Sequence, residues 1–251
     1  MTIQMHTVYH NKTETKLAYV KKNGDISKPL ILFCGGFRSD MEGTKALFMQ
    51  EYAEQHGYGY IRFDYMGHGK SGGDFEEGTI GSWTKDTKSI IDALTDARDL
   101  ILVGSSMGGW ISLLCAPHLK GRMKGLVGIA AAPDFTKDMV DDHFTSEMLA
   151  ELNDKKFIAL PNDYSDEPYI ITKALIDDGA EQSILHAAIN IDCPVVLLQS
   201  KLDTSVPWNK ALKIKELLTS DNVDVVLLDD GDHSLSRPQD LERLAQAISG
   251  F

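Results

Sequence analysis

Cysteine is scarce and unpatterned in this chain of 251 residues. Cys34, Cys115 and Cys193 are an odd number with no C-x-x-C spacing. That argues against a disulfide framework or a zinc site and suits a reducing compartment. Basic charge is also in the minority: 25 Lys and Arg stand against 37 Asp and Glu, a net charge of −12. The acids are spread along the chain, so neither nucleic acid nor an anionic membrane surface is the expected partner. No apolar run is long enough for an integral membrane segment. Met1-Thr2-Ile3-Gln4-Met5-His6 lacks the charged-then-apolar form of a signal peptide, and the expected location is cytoplasmic. The Gly-rich stretch Asp64–Gly73 contains Lys70-Ser71 but lacks the G-x-x-x-x-G-K-[ST] spacing of a phosphate loop.

What is present suits one large α/β domain. Hydrophobic residues make up 43% and charged residues 25%, enough apolar material for a full core. The organising stretch is Leu100-Ile101-Leu102-Val103-Gly104-Ser105-Ser106-Met107-Gly108-Gly109-Trp110. Four apolar residues read as a short buried strand. A G-x-S-x-G follows with Ser106 at its centre, and Trp110, Ile111, Leu113, Leu114 and Leu119 begin a helical pattern. Strand, sharp turn and helix are what a nucleophile needs to project from a sheet edge. Gly104 and Gly108 allow close packing, and the helix N-terminus favours developing negative charge.

The rest of the chain alternates β and α signals around this stretch. Residues 1–27 read as an edge hairpin, with a strand at Thr15–Val20 and turn chemistry at Lys22-Asn23-Gly24-Asp25. Buried strands are expected at 29–33, 58–63, 126–132, 194–199 and 223–228. Helices are expected at 41–56, at 82–97 with Ser82 as a cap but no capping box, at 208–218 and from about Pro238. Such alternation predicts a doubly wound, mostly parallel sheet with helices on both faces. Between Phe135 and about Ile191 charges are dense, helices look short, and the stretch Pro161–Pro168 interrupts them. This reads as a small helical cap insertion over the carboxyl edge of the sheet. Phe144, Met148, Leu149, Phe157 and Ile158 are candidates for either an acyl-facing wall or the cap's own core.

A serine hydroxyl needs an adjacent base, and the base needs a carboxylate to orient it. Of the eight histidines, His233 alone follows the last expected strand, at the edge where Ser106 lies. Asp203, a few residues past a strand end, is the expected acid, with Asp134 the runner-up; Asp232 adjoins His233 too closely in sequence. His68 reads as a structural loop residue. The amides of Phe37, after Cys34-Gly35-Gly36, and of Met107 would form an oxyanion hole.

With these residues placed, the chain resembles the α/β-hydrolase superfamily over nearly its whole length. Gly43–Leu47, Ile61–Tyr65, Ile101–Trp110, Val206-Pro207-Trp208 and Asp229–His233 are similar to the palmitoyl-protein thioesterase or mycophenolic acid acyl-glucuronide esterase subfamily. The resemblance implies Ser106 as nucleophile, Asp203 as acid, His233 as base, no metal or organic cofactor, and hydrolysis of acyl esters or thioesters. The substrate would be a small molecule or an acylated protein. A mitochondrial address does not carry over. Two other readings stand beside this one: a serine peptidase, and a ligand receptor that keeps the three residues as a binding pocket.

Overall fold

The computed structural model describes residues 2–10, 12–119, 121–160 and 168–251. β1 (Gln4–His10) and β2 (Thr13–Lys22) form the expected edge hairpin, but its register closes at His10 opposite Thr13. The turn therefore lies twelve residues before Asn23-Gly24. Gly24 serves a different purpose. Its φ is +61°, and a Cβ there would lie 2.3 Å from the Tyr58 carbonyl, so the glycine lets two chain segments touch.

β3 (Leu30–Cys34), α1 (Thr44–His56), β4 (Gly59–Phe63), α2 (Ile80–Leu94) and β5 (Leu100–Ser105) follow. α2 starts two residues earlier than the apolar pattern suggests. Thr79 caps it, and Ser82 is the third helical residue of a reciprocal capping box: Ser82 N donates to Thr79 Oγ1 at 3.2 Å, and Thr79 N to Ser82 Oγ at 2.8 Å. α3 (Met107–Cys115) leads to β6 (Met123–Ile129). This strand sits three residues earlier than expected. Residues 130–132 leave the sheet, with Ala130 at φ 44°.

Between β6 and the next strand of the main sheet come α4 (Phe135–His143), α5 (Ser146–Lys155), β7 (Phe157–Leu160), β8 (Tyr169–Thr172) and α6 (Lys173–Glu181). The segment is thus only partly helical, because β7 and β8 pair antiparallel as a separate ribbon. The interruption read at 161–168 lies, apart from Pro168, outside the described residues. Leu152, Ile158 and Ile171 form a small core of this segment, with Phe144, Met148 and the Phe37 ring packed on it. Phe157 is exposed and Leu149 half-buried.

β9 (Val195–Ser200), α7 (Asn209–Leu217), β10 (Val223–Leu228) and α8 (Pro238–Ser249) complete the chain. Among the described residues the main sheet runs β1-β2-β4-β3-β5-β6-β9-β10, and every pair from β4 to β10 is parallel. β5 is buried on both faces. Leu100 and Leu102 join the core with α2, α3 and α7, while Ile101 and Val103 join the core with α1 and α8. The continuous apolar run read at the centre of the sequence is the physical consequence of that two-sided burial.

Candidate active site

The site is built at the carboxyl ends of β3, β5, β9 and β10. Ser106 stands between β5 and α3 with φ 53° and ψ −118°, a strained conformation for a residue with a Cβ. Its surroundings hold it there. Ser106 N donates to Ile129 O at 2.8 Å, and Ala132 N donates to Ser106 O at 3.1 Å. A Cβ on Gly104 would lie 2.3 Å from Gly108 O, and one on Gly108 would lie 2.1 Å from Cys34 O. The two glycines of the motif are the condition for packing α3 against β3 and β5.

His233 lies in the loop after β10. Its Nε2 is 3.0 Å from Ser106 Oγ and its Nδ1 is 2.8 Å from Asp203 Oδ2. With Nδ1–H donating to the carboxylate, Nε2 is left to accept the serine hydroxyl. Asp203 follows β9 and its side chain is fully buried. Oδ1 accepts the amides of Ser205 at 2.8 Å and Val206 at 2.9 Å. Oδ2 also accepts Gln199 Nε2 at 2.9 Å. Burial pushes the carboxyl pKa up, but the His233 bond and the Val206 and Ser205 amides outweigh it, so Asp203 stays below the ordinary aspartate value.

The other sequence candidates are occupied elsewhere. Asp134 Oδ1 accepts Ile184 N at 2.9 Å, while Oδ2 accepts Ser183 Oγ at 2.6 Å and Leu185 N at 3.1 Å. It ties the chain after α6 back to the end of β6. Asp232 Oδ1 accepts Ser234 N at 3.0 Å and Leu235 N at 3.2 Å, capping the loop rather than the imidazole. His68 is more buried than a polar loop suggests. It packs edge-on to Tyr65, Phe75 and Trp83, and its Nδ1–H faces Met66 O at 3.2 Å. Burial pushes its pKa down to about 4.

The turn after β3 lies against the elbow because Cys34 pairs in register with Gly104. A Cβ on Gly36 would be 3.5 Å from Ser106 Cβ. The amide of Phe37 follows directly. Met107 is the first residue of α3, so its amide has no intrahelical acceptor. The Phe37 ring packs against Phe75, Phe135 and Trp83 at 5.0, 5.6 and 6.0 Å between centroids. A cleft of about 220 Å³ opens between Gly36, Phe37, Lys45, Ser106 and His233.

Sequence reasoning missed Gln199 and Lys45. Each carries a signal in retrospect. Gln199 is an amide at the end of an apolar strand, and Lys45 is a cation in the first turn of a helix, where the dipole disfavours it.

A doubly wound parallel sheet with a serine at a strained strand-to-helix elbow, in line with a histidine and a buried aspartate, defines the α/β-hydrolase class. The family described as serine aminopeptidase, S33, matches residues 25–182. Human palmitoyl-protein thioesterase ABHD10, mitochondrial, is 37% identical over 233 residues, covering 92% of this chain and 75% of its own. A solved protein from Agrobacterium vitis S4, with a provisional hydrolase name, superposes with a TM-score of 0.94 at 41% identity, covering 100% of this chain and 99% of its own. Mouse alpha/beta hydrolase domain-containing protein 10 gives a TM-score of 0.88 at 33% identity, covering 98% and 97%. The chain belongs to this family of α/β-hydrolases. No helix among the described residues is long and apolar enough to cross a membrane.

Proposed function

We propose that this protein is a serine hydrolase cleaving carboxylic esters or thioesters of acyl groups, with Ser106 as nucleophile, His233 as base and Asp203 as acid. The observation that carries this reading is the hydrogen-bonded line from Ser106 Oγ through His233 to Asp203 at a strained elbow. His233 Nε2 takes the hydroxyl proton as Ser106 Oγ attacks the acyl carbonyl. Asp203 stabilises the imidazolium through Nδ1–H. The amides of Phe37 and Met107 hold the oxyanion; losing one such donor costs about 2.7–4 kcal/mol of barrier. His233 then gives its proton to the departing alcohol or thiol, and water repeats the sequence on the acyl-enzyme.

Acyl groups are favoured over peptides by the 37% identity to ABHD10, which is named as a palmitoyl-protein thioesterase. The apolar surroundings of Phe37 support the same choice. We read the chain as one α/β domain with residues 135–191 as its cap, and the acyl chain between Phe37 and that cap. The substrate is then a small molecule or an acylated protein. For location we favour the cytoplasm. Its support is three buried, unbridged cysteines, which suit a reducing compartment. The human relative carries a mitochondrial name, and cell fractionation separates the two locations.

The test is a hydrolysis panel on wild type and Ser106→Ala: p-nitrophenyl esters from acetate to palmitate, acyl-CoA thioesters, an S-palmitoylated peptide and aminoacyl anilides. Ser106-dependent turnover of esters or thioesters is the expected result. Turnover of anilides alone would move the reading to a peptidase. No turnover and no labelling of Ser106 by a fluorophosphonate would move it to a receptor.

A further inference from the structure

His233 sits in a loop without regular structure, and its imidazole must stay within reach of both Ser106 and a leaving group. A displacement of 1 Å in such a group costs on the order of 100-fold in rate. The loop is held on two sides. Two residues before the histidine, Gly231 O accepts Ser200 Oγ from the end of β9 at 2.7 Å. One residue after it, Ser234 O accepts the ammonium of Lys45, which also reaches Ser236 Oγ at 3.3 Å. Lys45 belongs to the first turn of α1, and the turn carrying the Phe37 amide lies just upstream of that helix.

Lysine is a costly choice at this place. The helix dipole disfavours a cation in the first turn. Burial also disfavours its charge, lowering the pKa against the pull of Asp232 and Asp240. A solvated neutral side chain at position 45 would avoid both costs. What the ammonium adds is a charge-assisted bond to a carbonyl, stronger than a neutral one, from α1, beside the Phe37 turn, to the loop that carries His233.

We propose that Lys45 is a positioning residue: by holding the Ser234 carbonyl from α1, it keeps His233 Nε2 on Ser106 Oγ. This inference rests on the reading of Ser106, His233 and Asp203 given above. Its effect falls on turnover rather than on substrate binding, because the bond is to the loop and is present before any substrate arrives.

Lys45→Met keeps the apolar stem and removes every donor. Lys45→Arg restores charge and donors. For each, kcat and KM are measured on a p-nitrophenyl ester, with the rate of Ser106 labelling by a fluorophosphonate and the melting temperature. Lys45→Met should lower kcat roughly 10- to 100-fold with KM within about twofold, and slow labelling in parallel, at a near wild-type melting temperature. Lys45→Arg should recover much of the loss. Wild-type kcat and labelling in a folded Lys45→Met would overturn the proposal, as would a change confined to KM. Where Lys45→Met melts early, Lys45→Leu, which also carries no donor, takes its place with the same outcomes. A wild-type protein that neither turns over nor labels would instead sink the reading of the site itself.

Discussion

Gln199 and His233 meet on one oxygen of Asp203. Oδ2 receives Nε2–H of the amide at 2.9 Å and Nδ1–H of the imidazole at 2.8 Å, while two backbone amides occupy Oδ1. The Gln199 amide also donates to Val206 O at 3.1 Å. Its own Oε1 is buried without a partner among the described residues. The amide is thus oriented with its N–H groups toward the loop that carries Asp203.

Removing this donor has a predictable sign. Gln199→Leu takes away one hydrogen bond to the ionised carboxylate, so the Asp203 pKa rises. The stability contributed by the depressed carboxyl, present above its unfolded value and lost as pH falls through the folded one, should therefore shrink. A hydrogen bond to a charged group is worth about 1.5–3 kcal/mol, so the unfolding free energy of Gln199→Leu at neutral pH should fall by up to about that much, with the gap to wild type narrowing in acid. An unchanged unfolding free energy would show that the backbone amides and His233 hold Asp203 in its charged form without Gln199.

The elbow makes a second prediction that separates activity from strain. On the proposed reading Ser106→Ala and Ser106→Gly both lose the nucleophile, and turnover should fall by roughly 10⁴- to 10⁶-fold in each. Their stabilities should differ. Alanine keeps a Cβ at φ 53°, whereas glycine tolerates that region freely. Relief of about 1–3 kcal/mol of strain, less the usual glycine entropy of about 0.5–1, leaves Ser106→Gly the more stable of the two by about 1 kcal/mol. Urea midpoints of the two variants decide it.

His68 gives the fold a pH dependence that does not involve the chemistry. In the unfolded chain it takes a proton near 6.5; in the fold, burial holds this back to about 4. Between those values the unfolded state binds more protons, so stability is full above the upper value and is lost as pH falls through the window. At pH 5 the loss is about 2 kcal/mol relative to pH 7.5. Replacing His68 with Phe keeps the edge-on packing with Phe75 and Trp83 and removes the titration. The difference in unfolding free energy between pH 7.5 and 5 should therefore be about 2 kcal/mol smaller in His68→Phe. Equal losses in the two proteins would mean that His68 charges without penalty.

How much of this was legible in the sequence follows from which features act locally. β5 and the elbow were readable because a run buried on both faces and a glycine-flanked serine leave direct marks on composition. That Asp203 and His233 come together with Ser106 was readable from their positions after strands. The hairpin turn was misplaced because Asn23-Gly24 has turn chemistry but is used for close contact with Tyr58. The Thr79–Ser82 box escaped because serine, not glutamate, occupies its third position. β7 and β8 have four residues each, too few to show a period. Gln199 and Lys45 act across the fold, on Asp203 and Ser234, and nothing nearby in the chain announces those partners.

The two candidate acids should separate cleanly when each is made an asparagine. At position 203, an asparagine oriented to accept from His233 must turn its NH₂ toward the Ser205 and Val206 amides, which also donate; in the opposite orientation it loses the imidazole. Either way the imidazole is no longer held in the tautomer that accepts the Ser106 proton, and kcat should fall by about 10⁴-fold with the fold retained. At position 134 the carboxylate holds Ser183, Ile184 and Leu185 and no part of the Ser106–His233 line. An asparagine there sets an NH₂ against at least one of the Ile184 and Leu185 amides. The expected cost is about 1–3 kcal/mol of stability, with kcat within a few-fold of wild type. Melting curves and kcat for the pair give opposite patterns if Asp203 is the acid. A 10⁴-fold loss of turnover in Asp134→Asn, with Asp203→Asn still active, would reverse the assignment and place the acid after β6 instead of β9.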